Sequence, residues 1–136
     1  MLSFNLSITK LINSFNNLKN MELVALLSSG KGTWGQVAGL VKRGEWDNII
    51  LIGTEFAEKF ELDKNHEFIK INSNERMIDL KDDLMKKLKG KINDTEVALS
   101  IASGDGKEHM ALISALLSLP VGIRFVALTK EGIVYL

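Results

Sequence analysis

Apolar residues in this chain fall in short runs separated by amphipathic stretches. "MELVALLSS" (21–29), "NIILIGT" (48–54) and "TEVALSIAS" (95–103) are nearly continuous apolar runs, the pattern of strands buried on both faces. "EFIKIN" (67–72) is more polar and reads as a strand nearer a sheet edge. Residues 33–42 predict a helix, with Thr33 and Gln36 as a capping box and Gly44 as its stop. A short helix is expected over 55–60. Asn74 is the expected cap of a helix whose apolar stripe is Met77, Leu80, Leu84 and Leu88, ending at Gly90. Asp105 and Glu108 form another capping-box pattern before an apolar helix over 110–119, which Pro120 ends. "IRFVALT" and "IVYL" close the chain, and the "KEG" between them reads as a hairpin turn.

Strands alternating with helices predict an α/β fold. The expected architecture is Rossmann-like: three αβα layers around a mostly parallel sheet of about six strands, the last one antiparallel through the C-terminal β-hairpin. No internal repeat or low-complexity linker divides residues 21–136, which read as one domain. In such a sheet the first and fourth strands lie side by side at the topological switch point.

Residues 1–20 read differently. Five of the twenty are asparagine, and Leu2, Leu6, Leu11 and Phe15 make only a weak helical stripe. Asparagine disfavours helix interiors. The segment is expected to be an N-terminal extension, disordered or upstream of the true start and dispensable for folding. The rival reading is an amphipathic helix docked on the domain. It has neither the apolar centre nor the small-residue cleavage site of a signal peptide.

Composition removes several classes of function. Lysine plus arginine, at 17, equals aspartate plus glutamate, so the excess positive charge of a coat for long nucleic acids is missing. No cysteine is present, which excludes disulfides and thiolate metal sites, and two histidines, His66 and His109, make a poor metal cluster. No apolar run approaches the roughly 20 residues of a membrane helix. The expected setting is cytoplasmic, with no membrane partner, no metal and no cofactor.

Two loops carry the candidate chemistry. "LLSSGKGTWGQ" (26–36) contains Gly30-x-Gly32-x-x-Gly35 between a strand and a helix, the context of a dinucleotide-binding turn. Its glycines would let backbone approach a phosphate, and the helix N-terminus would supply amide donors. Glu55, twenty positions after Gly35, stands where a ribose-binding carboxylate belongs. The loop is not a P-loop, since Ala25 and Gly32 occupy positions where that motif needs a glycine and a hydroxyl residue. "SGDGKEHM" (103–110) repeats the arrangement: glycines, a serine and a lysine between a buried strand and a capped helix. Lys31 and Lys107 would then bring two cations to one mouth, as suits a phosphodiester or polyphosphate. Lys107 is expected to project over the switch point. The plainer reading makes both loops mere turns and Lys107 a solvated first-turn residue. His109 reads as a cap or surface residue. Trp34 and Trp46 read as core, though either ring could stack on a base. The "KDDLMKKLKGK" run reads as the wet face of a helix.

Together these stretches resemble the CRISPR-associated Rossmann fold (CARF) domain family over roughly residues 21–136. "LLSSGKGTWGQ" matches the first strand and polar loop. "LIGTE", with Thr54 and Glu55, is similar to the second strand and its acid. "SIASGDGKEHMALISALLSLPVGIRFV" matches the glycine-rich turn, lysine, apolar helix and last strand. The family's glycine-glycine-threonine-lysine turn reads here Gly104-Asp105-Gly106-Lys107, so the threonine is absent and an acid stands near an anionic ligand. The resemblance implies a homodimer whose crevices merge into one pocket for a cyclic oligoadenylate or related small nucleotide, in CRISPR antiviral defence. It places the ligand on Gly30, Lys31, Gly32, Thr33, Thr54, Glu55, Gly104, Asp105, Gly106, Lys107 and Glu108. Some members open the ring without metal, a ribose 2′-hydroxyl attacking the adjacent phosphate. Carried over, Ser28 or Ser29 would orient the reacting groups, and Lys107 would neutralise the developing charge. Such a ring nuclease would be slow. Two other readings stand beside this one: a small NAD-type dinucleotide-binding protein using Gly30, Gly32, Gly35 and Glu55, and a structural or interaction domain without ligand.

Overall fold

A computed structural model describes residues 20–28 and 33–136. The elements in chain order are β1 (Met21–Leu27), α1 (Trp34–Arg43), β2 (Trp46–Gly53), a 3-10 turn (Glu55–Lys59), β3 (Glu67–Lys70), α2 (Met77–Leu88), β4 (Glu96–Ser100), α3 (Gly106–Ser118), β5 (Gly122–Thr129) and β6 (Gly132–Tyr135). They build one six-stranded sheet in the order β3-β2-β1-β4-β5-β6. All neighbouring pairs are parallel except β5 and β6. The expected α/β sheet with its antiparallel C-terminal hairpin is therefore present. Gly132, at φ 104°, supplies the left-handed residue of the "KEG" turn.

The apolar runs fill both faces of the sheet. Leu23, Ala25 and Leu27 of β1 point to one side and pack with Val37, Leu40 and Val41 of α1. Val24 and Leu26 point to the other and pack in the cluster with Leu80, Leu84 and Leu88 of α2 and Ala111, Leu112, Ala115 and Leu116 of α3. This period-2 split explains why β1 reads as uniformly apolar: each face meets a helix layer. β3, the more polar run, lies at the edge.

Four local expectations are corrected. β1 stops at Leu27 rather than 29, because the Ser28 amide turns to a side-chain acceptor, Ser103 Oγ, in place of a strand partner. β4 is likewise shorter than 95–103. Thr33 makes no capping hydrogen bond to α1; its backbone is helical (φ −93°, ψ −10°), not in the extended conformation that aims a cap oxygen at the third amide. Asn74 does not cap α2. Its amide is taken by Asn72 Oδ1 at 2.9 Å, and the cap position falls on Arg76, which pairs with Asp79 one turn on. The Asp105–Glu108 capping box of α3 forms as expected. The expectations for residues 1–19, and those for Ser29, Gly30, Lys31 and Gly32, lie outside the described residues.

Candidate functional site

β1 and β4 are adjacent and parallel, with Ala25 opposite Ser100. Three residues further along the chain from each, past the strand ends, stand Ser28 and Ser103, and these meet. The Ser28 amide donates to Ser103 Oγ at 3.0 Å, and that hydroxyl donates back to the Ser28 carbonyl at 3.4 Å. Ser28 Oγ donates to Glu108 at 2.9 Å (Oε1) and 3.1 Å (Oε2). The Asp105 amide also donates to Glu108 Oε1 at 2.9 Å, and Asp105 Oδ1 accepts from the Glu108 amide at 2.8 Å. Glu108 is only 1% exposed. A carboxylate at that depth needs donors to offset its lost hydration, and here a serine, a backbone amide and the start of α3 supply them. His109 Nε2 lies 2.8 Å from the Ser103 carbonyl, so that nitrogen carries the proton. Gly104, at φ 98°, closes the turn; a Cβ there would stand 3.2 Å from His109 Nε2 and 3.3 Å from Glu108 Oε1.

The other expected site residues distribute around this network. Asp105 is the exposed cap of α3. Gly106 opens the helix, and a Cβ there would meet nothing within 4 Å. The Lys107 ammonium does not stand over the crevice. It donates to the carbonyls of Ser73 at 2.5 Å and Glu75 at 2.9 Å and ties α3 to the loop before α2. Thr54 and Glu55 follow β2: Thr54 is extended and its carbonyl accepts from Ala57, while Glu55 is exposed. Thr33 is half-buried beside α1.

The glycine pattern separates two kinds of turn. In a dinucleotide-binding fingerprint the third glycine permits close helix–strand packing. At Gly35 a Cβ would meet nothing within 4 Å, whereas at Gly39 it would fall 2.4 Å from Leu128 Cδ2. Close approach of α1 to the sheet is thus a property of Gly39, outside the motif.

Sequence reading noted the serine at 103 but gave it no site role, and it undervalued Trp34. Ser103 lies three residues beyond Ser100, as Ser28 lies three beyond its register partner Ala25, a correspondence that the pairing of β1 with β4 sets. Trp34 Nε1 donates to the Ser28 carbonyl at 2.7 Å, and its ring lies 5.6 Å from Phe56 and 5.4 Å from Phe60.

The opposite end of the sheet holds a second buried acid, Glu22, which accepts from the amides of Asn93 (2.8 Å) and Asp94 (2.6 Å) and from Asn48 Nδ2 (3.1 Å). It locks the loop before β4. A wide cleft of about 450 Å³ opens nearby between Trp46, Asp47, Lys64 and His66. It lies at the amino ends of β2 and β3, whereas open α/β sheets bind ligands beyond the carboxyl ends, so the β1–β4 crevice is the stronger candidate. Among the described residues, no group of three or more histidines or acids is placed to hold a metal ion, and no helix is long and apolar enough to cross a membrane. Against known proteins, the chain matches no family model and no curated protein.

Proposed function

We propose that this chain is a dimeric nucleotide-binding module of CARF type. Its ligand is a cyclic oligoadenylate or a related small nucleotide, taken at the carboxyl ends of β1 and β4 in the cytoplasm. The observation that carries the reading is the adjacency of β1 and β4, which sets Ser28, where the first glycine- and hydroxyl-rich loop begins, against Ser103 and Glu108 of the second. The start of α3, at the positive end of its dipole, suits a phosphate. Lys107 reaches such a phosphate by exchanging the carbonyls of Ser73 and Glu75 for it. In ring opening, the reading gives Ser28 or Ser29 an orienting role and Lys107 the neutralising one, at a slow rate. The exposed Met110 and Leu117 on α3, a helix without a charged residue after its first turn, favour a second copy as the partner.

A thermal-shift screen with cyclic tetra-adenylate, cyclic hexa-adenylate, NAD and ATP tests the reading, and light scattering at tens of micromolar tests the dimer. Stabilisation by an oligoadenylate supports it; a flat screen or a monomer counts against it. The NAD-type reading is favoured by the strand order and by Glu55 after β2, and opposed by the open space at Gly35. Stabilisation by NAD alone would select it.

A further inference from the structure

The pairing of β2 with β3 begins only at Ile50 and Glu67. Ahead of that point the ladder is absent, and the cleft of about 450 Å³ opens between residues 46–49 on one wall and 64–67 on the other. Most side-chain donors around it are committed within the protein. Trp46 Nε1 donates to the Leu40 carbonyl at 2.8 Å, and Lys64 Nζ to the Gly44 carbonyl at 2.7 Å. Asn48 Nδ2 donates to Glu22 Oε2 at 3.1 Å and to the Lys91 carbonyl at 3.2 Å. The Lys91 ammonium pairs with Glu67 and cancels that acid. His66 Nδ1 lies 3.0 Å from the Lys64 carbonyl, so it carries the proton and leaves Nε2 as an acceptor. The Asp47 carboxylate is exposed and, among the described residues, takes no hydrogen bond or ion pair. A smaller cleft shares Asp47 and Asn48 and continues to Glu22 and Asp94, so the acids extend on that side.

We propose that this cleft binds a small organic amine, its ammonium taken by the Asp47 carboxylate and its carbon chain lying against Trp46. Walls whose acceptors outnumber their uncommitted donors need a ligand rich in N–H, and an ammonium or guanidinium supplies it with a charge-assisted bond to the carboxylate. An anion would meet the Asp47 charge, with both lysines already turned to acceptors of the protein. Trp46 is a rigid apolar surface: its bond to Leu40 holds it, and it packs so closely on Gly44 that a Cβ there would stand 2.4 Å from its Cε2. The volume lies within the roughly 300–1,000 Å³ of small-molecule sites. This site is at the opposite end of the sheet from the β1–β4 crevice and does not rest on the nucleotide reading.

The test is isothermal titration of wild type, Asp47→Asn and Asp82→Asn with putrescine, agmatine, spermidine and the neutral 1,4-butanediol. Asp82 is an exposed acid on α2, away from the cleft lining, and serves as the control for general attraction. At least one amine is expected to bind wild type with a dissociation constant below about 1 mM. Asp47→Asn keeps the size of the side chain and should weaken that amine by about tenfold, the loss of a charge-assisted contact. Asp82→Asn should stay within about twofold of wild type, and butanediol should not bind. The proposal is overturned if no amine binds wild type, or if Asp47→Asn binds as tightly as wild type. An equal loss in both variants also overturns it, since the protein's overall charge would then be the attraction. Butanediol binding as well as putrescine does the same, because the ammonium would then decide nothing.

Discussion

Replacing Glu108 by alanine removes the acceptor that joins the two loops, and the cost can be worked from its partners. Ser28 Oγ, in a side chain only 3% exposed, loses both carboxylate oxygens. The Asp105 amide loses its acceptor as well. A buried donor left unmade costs about 1–3 kcal/mol, and losing the reciprocal half of a capping box adds about 0.5–1 kcal/mol. Removing a buried charge recovers part of its desolvation. The net expectation is a loss of roughly 3 kcal/mol, a large share of a typical stability of about 5–15 kcal/mol. For a domain of this size that lowers the melting temperature by roughly 10 °C. Glu108→Gln keeps the shape and one acceptor oxygen, and its amide can donate to Ser28 Oγ, so it should cost only about 1 kcal/mol. Thermal and urea unfolding followed by circular dichroism measure both variants. A double-mutant cycle with Ser28→Ala should show a coupling of about 1 kcal/mol or more. If Glu108→Ala loses less than about 1 kcal/mol, or if the glutamine variant loses as much as the alanine one, the carboxylate is not the bridge described here.

Three further outcomes are expected. Gly53→Ala would place a Cβ 2.1 Å from the Leu27 carbonyl oxygen and 2.9 Å from Ala57 Cβ, forcing backbone apart; a drop of about 2 kcal/mol or more in urea unfolding is expected, and an unchanged midpoint would refute the close approach. Lys107→Ala gives up the carbonyls of Ser73 and Glu75 and should cost about 1 kcal/mol of stability; on the proposed function it also weakens the nucleotide by about tenfold, and equal affinities would leave Lys107 a structural tie alone. Tyr135 is the single tyrosine, so absorbance near 295 nm titrates it alone; burial raises its pKa, with the Arg124 cation pulling the other way. Its midpoint should lie above about 10 in the folded protein and return to about 10 in urea. Because the folded value is the raised one, its contribution to stability is complete below about pH 10 and is lost as pH rises through the folded value; a folded midpoint at or below the urea value would refute the assignment.

The order and type of the elements were legible in the sequence because burial leaves a periodic mark. Runs such as "VALL" and "IILI" are apolar on both faces, Leu80, Leu84 and Leu88 repeat at helical spacing, and the turn at "KEG" needs a left-handed glycine. The capping box at Asp105 and Glu108 was legible for the same reason: its partners are three residues apart, so local chemistry decides it. The box expected at Thr33 and Gln36 and the cap expected at Asn74 also rested on local letters, but the Thr33 backbone is helical and the cap position of α2 falls on Arg76. Tertiary structure alone decided the meeting of residues far apart in the chain. Ser28 and Ser103 are 75 positions apart, and Ser28 and Glu108 are 80; they touch because β1 pairs with β4 in one register, and register follows from side-chain packing over the whole sheet. Lys107 likewise turned to carbonyls 32 and 34 residues away, since a long flexible ammonium takes the acceptors that the packing of α3 against α2 brings within reach.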